Sequence, residues 1–491
     1  MTEFFANLIE LKWKKMDSES SLIATLRSDV ARLTLRVAEL EAAAAARNRA
    51  EGGAGSEAEE AVDDGAALLT FAVEDDAADD HFRFALSEPQ LPYLRANPLC
   101  VLLVALPDGA SHVLACGSAD KSLALSDWRA NRTLARVELS AAVLSLAASP
   151  RCEPSARLLA AGCMDGAVHV LSLSGACDLA LLQTVQCHTR YVVALRWSAT
   201  GRYLATGSWD HSCVVFALAA EAETVAVESA GAAPSSSSPP LPPSAAVSAI
   251  GPLVKVKKFL FGCHVESVEF ISTASDKGGG GGGASADVET TDNMLIIAVA
   301  ESVDLFHVDL PTTAASATSI DDAAGGRGSG CSTWTLRPLN MNARGDSHVS
   351  FSAMDLRRCP GDSRLLLVAT DKGRVLVLRG GTTQVLRTFV GHTAGDLSHP
   401  RVAWSPCGRY ALSNTEESGA IVVWSLATAR IVRRIGDEDD GDCPASHCHR
   451  SAVRSLDVVV EEGGGTDGDG VLIASCAFDK RLKVWKQKGG D

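Results

Sequence analysis

The feature that most constrains this chain is a short unit of alternating strands and tight turns that recurs from about Asn97 onward. Its clearest copy reads His188-Thr-Arg-Tyr-Val-Val-Ala-Leu-Arg-Trp-Ser-Ala-Thr-Gly-Arg-Tyr-Leu-Ala-Thr-Gly-Ser-Trp-Asp-His-Ser-Cys-Val-Val-Phe216. Strand-like runs are separated there by Ala-Thr-Gly and Trp-Asp-His turns. The same shape returns from Val402 to Trp424 and from Val471 through Asp479 to Trp485. Shorter echoes keep the turn, as in Leu114 to Asp120, Leu158 to Asp165 and Leu365 to Asp371. A fourth stretch, Val265 to Leu336, holds strand-like Ser267–Ile271, Leu295–Ala300 and Val303–Val308, split by low-complexity inserts. Seven units result.

These segments resemble the WD-repeat family, and the resemblance implies an all-β fold, a seven-bladed WD-repeat β-propeller. In that family a His near the start of a unit, a Ser or Thr on the second strand, an Asp in the next turn and an aromatic on the third strand form a buried hydrogen-bonded chain. Carried over, the third unit supplies His188, Thr206 and Asp210, with Phe216 in the aromatic slot. Phe has no N–H, so this chain is expected to be one bond short. The last unit supplies His449, Ser475, Asp479 and Trp485, with Glu462 to Gly470 as an insert that lengthens the His-to-Asp spacing. The sixth unit carries His392 and Trp424, but Glu417-Ser-Gly stands where the turn Asp belongs.

The last copy ends at its third strand, and the resemblance implies that a segment before the first unit completes its blade. His81-Phe-Arg-Phe-Ala-Leu86 alternates suitably, with Ala67-Leu-Leu-Thr-Phe-Ala-Val73 as the rival. Closure of this kind removes an exposed sheet edge. The propeller is therefore expected over residues 67–488, with flexible inserts near 221–252, 275–292 and 311–330, whose Ala/Ser/Pro-rich or Gly-rich compositions bury little.

Ahead of it, residues 1–47 read as a helical arm. Ile23, Leu26, Val30, Leu33, Val37 and Leu40 form a heptad seam with β-branched residues at a and Leu at d. Residues 23–40 are thus a candidate homodimer or partner-helix seam, with docking on the rest of the chain as the alternative. Residues 48–66 read as an acidic linker, part of a run from Glu51 to Asp80 with eleven carboxylates and no Lys or Arg.

That run accounts for most of the formal net charge of −15, a sign that argues against nucleic-acid partners, since phosphate backbones are held by Lys and Arg. No uninterrupted apolar stretch reaches the roughly 18 residues a spanning helix needs, so no membrane partner is expected. Fourteen scattered Cys fit reduced, buried thiols and an intracellular address, cytoplasm or nucleus.

No enzyme chemistry stands out. Cys443-Pro-Ala-Ser-His447-Cys448-His449 lacks a second ligand pair at finger spacing, so no metal is assigned. The poly-Gly run from Gly278 lacks the Gly-Lys-Ser/Thr ending of a phosphate loop, no Gly-x-Ser-x-Gly elbow occurs, and no cofactor is expected. In the family, the residue before each turn Asp lies on the rim of one face. Here these are Ala119, Met164, Trp209, Thr370 and Phe478. Met and aromatic side chains at a rim suit protein binding, so Trp209, Met164, Phe478, Arg190 and Tyr191 are the candidate partner contacts of an interaction scaffold. Two alternatives stand beside it: a substrate receptor for a cullin-type ubiquitin ligase, from the Asp127-Trp-Arg129 box, and a propeller hydrolase with a site assembled from distant loops.

Overall fold

Several strands are buried along their whole length. Every residue of Met294–Val299 and Leu365–Thr370 is buried, which requires cover on both sheet faces. In the computed structural model that cover comes from neighbouring sheets arranged in a ring. The structure describes residues 84–86, 96–107, 111–153, 156–218, 252–272, 293–310, 334–341, 351–391, 399–415, 419–436, 448–461 and 470–487. The expected helical arm, the acidic linker, the candidate strand Ala67–Val73 and, apart from Pro252, the three inserts lie outside these residues.

Seven four-stranded antiparallel sheets make the blades. Blade 1 is Pro98–Ala105, His112–Ser118, Ser122–Asp127 and Arg132–Glu138. Blade 2 is Val143–Glu153, Ala156–Cys163, Ala167–Ser174 and Leu179–Gln186. Blade 3 is Val192–Trp197, Tyr203–Ser208, Ser212–Leu218 and Leu253–Leu260. Blade 4, the most interrupted in sequence, is Val265–Ile271, Met294–Val299, Asp304–Asp309 and Thr335–Asn340. Blade 5 is Ala353–Arg358, Leu365–Thr370, Val375–Arg379 and Val385–Phe389. Blade 6 is Val402–Trp404, Tyr410–Asn414, Ile421–Ser425 and Ile431–Ile435.

Blade 7 is composite. Val453–Glu461, Gly470–Ala477 and Leu482–Gln487 are joined at the outer edge by Phe84–Leu86, in the register Phe84↔Gln487, Ala85↔Lys486 and Leu86↔Trp485. The innermost strands pack in succession around the ring, and that of blade 7 meets that of blade 1. The last blade is thus sealed by chain that precedes the first.

Each junction between neighbouring blades has its own apolar core. Between blades 1 and 2 it includes Val104, Leu123, Leu159 and Leu171, and between blades 7 and 1 it includes Leu103, Leu114, Leu472 and Val484. The other five junctions repeat the plan. Small residues on the second strands let the blades approach. A Cβ on Gly207 would stand 2.7 Å from Val265 Cγ1 of the next blade, and Gly117 and Gly162 face Val143 and Val192 in the same way.

Candidate interaction face and central channel

The turn between the second and third strands of each blade opens onto one face, and a buried network fixes it in blades 3 and 7. In blade 7, Trp485 Nε1–H donates to Ser475 Oγ at 3.1 Å, and Ser475 Oγ lies 2.9 Å from His449 Nε2. His449 Nδ1 meets Asp479 at 3.0 Å, and Asp479 also accepts the Arg450 and Arg481 backbone N–H groups. With a neutral imidazole, the protons run from indole to hydroxyl to imidazole to carboxylate. In blade 3, His188 Nδ1 lies 3.1 Å from Asp210 and its Nε2 lies 2.7 Å from Thr206. Phe216 offers no donor, and Thr206 Oγ1 stands 3.2 Å from the Val214 carbonyl.

Burial lowers the proton affinity of both imidazoles below the ordinary value, and the paired carboxylates offset this only in part. For Asp210 and Asp479 burial acts to raise the carboxyl, but hydrogen bonds outweigh it and hold both low. Ser212 leads those bonds on Asp210, and His449 leads them on Asp479. Blade 6 differs. Trp424 Nε1 donates to the Val390 carbonyl at 2.9 Å rather than to a Ser–His pair, and His392 lies outside the described residues. Blade 2 has a network that the repeat pattern did not reveal, with His169 on its third strand between Ser140 Oγ and Thr184 Oγ1, each at 2.9 Å.

All seven turns place one residue in the left-handed region: Lys121, Gly166, His211, Glu301, Gly373, Gly419 and Lys480. This common point sets the rim positions and corrects one of them. In blade 5 the rim residue is Asp371, which accepts the Ser352 N–H at 2.8 Å, while Thr370 is fully buried at the end of its strand. Met164, Tyr191 and Phe478 are exposed by 40%, 37% and 46%. Arg190 is exposed beside Tyr191. Trp209 is half-buried, its ring held between Tyr191 at 5.3 Å and His264 at 5.0 Å. Tyr191, Trp209 and His264 therefore form one patch across blades 3 and 4. Met164 on blade 2 and Phe478 on blade 7, under the Arg454 guanidinium at 5.3 Å, form separate points on the same face.

The Asp127–Arg129 box is occupied locally. Asp127 Oδ1 accepts the N–H groups of Arg129 and Ala130, Trp128 is buried with its Nε1 on the His112 carbonyl, and Arg129 stacks 4.3 Å over that indole. Among the described residues no group of three His, Cys, Asp or Glu side chains is placed to hold a metal. Cys443 and His447 lie outside those residues.

The central channel is where the sequence was least legible. A one-residue bulge after the first pair of the innermost strand recurs in six blades. It brings Cys100, Ser145, Ala194, Ser267, Asp355 and Ser455 to one level, and Leu102, Ala147, Arg196, Glu269, Arg357 and Asp457 to the next. Asp355 is fully buried and accepts Ser267 Oγ–H and the Val402 N–H, each at 3.1 Å. Arg196 Nε reaches Glu269 at 3.2 Å. Burial pushes the Glu269 and Asp457 carboxyls up, Asp457 to about 6. A charged residue on a strand ordinarily reads as solvent-facing. Only the closed ring turns these ones inward.

A model of the WD domain, G-beta repeat, matches residues 179–216 and 441–486, the stretches that carry the two histidine networks. No curated protein matches the chain. Two matched repeats, each with a His–Asp link across its turn, stand within a closed ring of seven blades, and together they support a WD-repeat β-propeller.

Proposed function

We propose that this protein is an interaction scaffold that holds a protein partner on the face carrying Met164, Arg190, Tyr191, Trp209 and Phe478. The observation that carries the reading is the exposure of Met164, Tyr191 and Phe478, large apolar side chains, the last two on or beside turns whose backbones are fixed from beneath. The His188–Asp210 and His449–Asp479 links hold the Trp209 and Phe478 turns before any partner arrives. Side chains presented on a rigid base lose little entropy on binding, which favours them as anchors. Cys100, Cys116, Cys163, Cys213, Cys359, Cys448 and Cys476 are buried free thiols, which supports a reducing, intracellular setting.

The test is quantitative capture of co-purifying proteins by wild type, Trp209→Ala and Phe478→Ala. Partners that use this face should lose at least about thirtyfold in affinity with one or both variants, the effect of a central aromatic anchor. Unfolding temperatures should stay close to wild type. An unchanged partner set and unchanged affinities in both variants would place the binding surface elsewhere.

A further inference from the structure

The channel holds more guanidinium than its carboxylates engage. A cavity of about 330 Å³ lies among the innermost strands, and Arg196, Arg357, Arg358, Arg401 and Arg454 reach it from blades 3, 5, 6 and 7. Asp457 is the one carboxylate among its described lining residues. Two more stand behind the wall. Glu269 takes Arg196, and Asp355 draws Arg196, Arg357 and Arg401 to 3.9, 3.8 and 3.7 Å.

Those last separations are too long for hydrogen bonds. Asp355 accepts from Ser267 and Val402 instead, and the three guanidinium groups are attracted to it without being bonded to it. Arg357 Nη1 is buried with no acceptor. The Arg454 guanidinium has no carboxylate or other acceptor in reach among the described residues, and it rests on the Phe478 ring. Burial and the like charge of Arg401 both press its proton affinity down. Glu266, nearer the face, is already engaged by His264 at 2.8 Å.

Arg357, Arg401 and Arg454 thus share a confined space with no carboxylate, among the described residues, hydrogen-bonded to any of them. A self-sufficient ion-pair lattice would leave no buried donor unmet. We propose that the channel binds a phosphoryl dianion, as inorganic phosphate or as the phosphate of a small monoester. A tetrahedral oxyanion accepts from several directions at once, which fits donors arriving from four blades, whereas a planar carboxylate is met by one or two forks. Its charge of nearly −2 at neutral pH suits a site lined by three guanidinium groups that no described carboxylate bonds. The cavity volume lies at the low end of the small-molecule range.

Isothermal titration of the full chain with inorganic phosphate, with phenyl phosphate and with acetate, at matched ionic strength, tests this. Saturable one-to-one binding of phosphate, phenyl phosphate or both is expected, with acetate binding at least about tenfold more weakly. Binding of phosphate alone identifies the free ion as the ligand, and tighter binding of phenyl phosphate identifies an ester. Arg357→Gln and Arg454→Gln should each weaken it at least about tenfold, the worth of one charge-assisted hydrogen bond. Arg454 lies nearest the face, so Arg454→Gln carries the test if Arg357→Gln fails to fold. No saturable binding of either phosphate, equal binding of acetate, or undiminished binding in the folded variants overturns the proposal.

Discussion

His449 and Asp457 show how one ring buries titratable groups with opposite consequences. Because His188 and His449 bind protons less readily in the fold than in the open chain, their contribution to stability is intact above about pH 6.5. It declines as the pH falls below that value, where the unfolded chain takes up protons that the fold refuses. Asp457 runs the other way. Its carboxyl is raised to about 6 by burial, so the ionised form costs stability above that pH, and the cost is relieved as the pH falls through 6 toward the ordinary carboxylate range. Asp457→Asn keeps an acceptor for the Leu103 N–H and removes the charge. By calorimetry the variant should be more stable than wild type at pH 7.5, by up to about 3 kcal/mol, and the advantage should shrink at pH 5. A pH-independent difference contradicts the assignment. At this scale the sequence told its story unevenly. His188, Asp210, Ser475 and Trp485 stood at recognisable spacings because a hydrogen-bond chain fixes them relative to nearby turns. Arg357 and Asp355 did not, since what buries them is six other blades. Thr370 was misplaced by one residue because blade 5 sets its Asp one position earlier in the turn, with Gly373 taking the left-handed conformation.

The blade is the unit at which packing is decided. Its second strand is buried on both faces and its outermost strand is largely exposed, as in Arg132–Glu138 and Leu179–Gln186. That contrast made the strands readable from the sequence, even in blade 4, where inserts separate them. The spacing between blades was less readable, because it rests on what is missing at Gly117, Gly162 and Gly207 rather than on any side chain present. Gly207→Ala should lower stability by about 1–3 kcal/mol, since a new Cβ meets Val265 and Ala194 on either side. Gly262→Ala, which meets open space, should be neutral or slightly stabilising. Urea denaturation of the pair checks this, and equal midpoints would show that the blades have slack at this junction.

For the ring of blades, seven similar cores make every blade depend on two neighbours, and Phe84–Leu86 joins the last strand of blade 7. The closure explains how one face can collect Met164, Trp209 and Phe478 from distant parts of the sequence, and how arginines of four blades reach one cavity. Both functional readings rest on the ring being shut. The most direct measurement is a cross-link across its seam. Ala85 and Lys486 are backbone partners in the composite blade, so cysteines placed at both positions lie within disulfide reach. Mild oxidation of the Ala85→Cys, Lys486→Cys variant, followed by peptide mass spectrometry, should yield an intramolecular disulfide joining these two peptides. Absence of that link, or capture of residue 486 by a cysteine placed in Ala67–Val73 instead, would contradict closure by Phe84–Leu86.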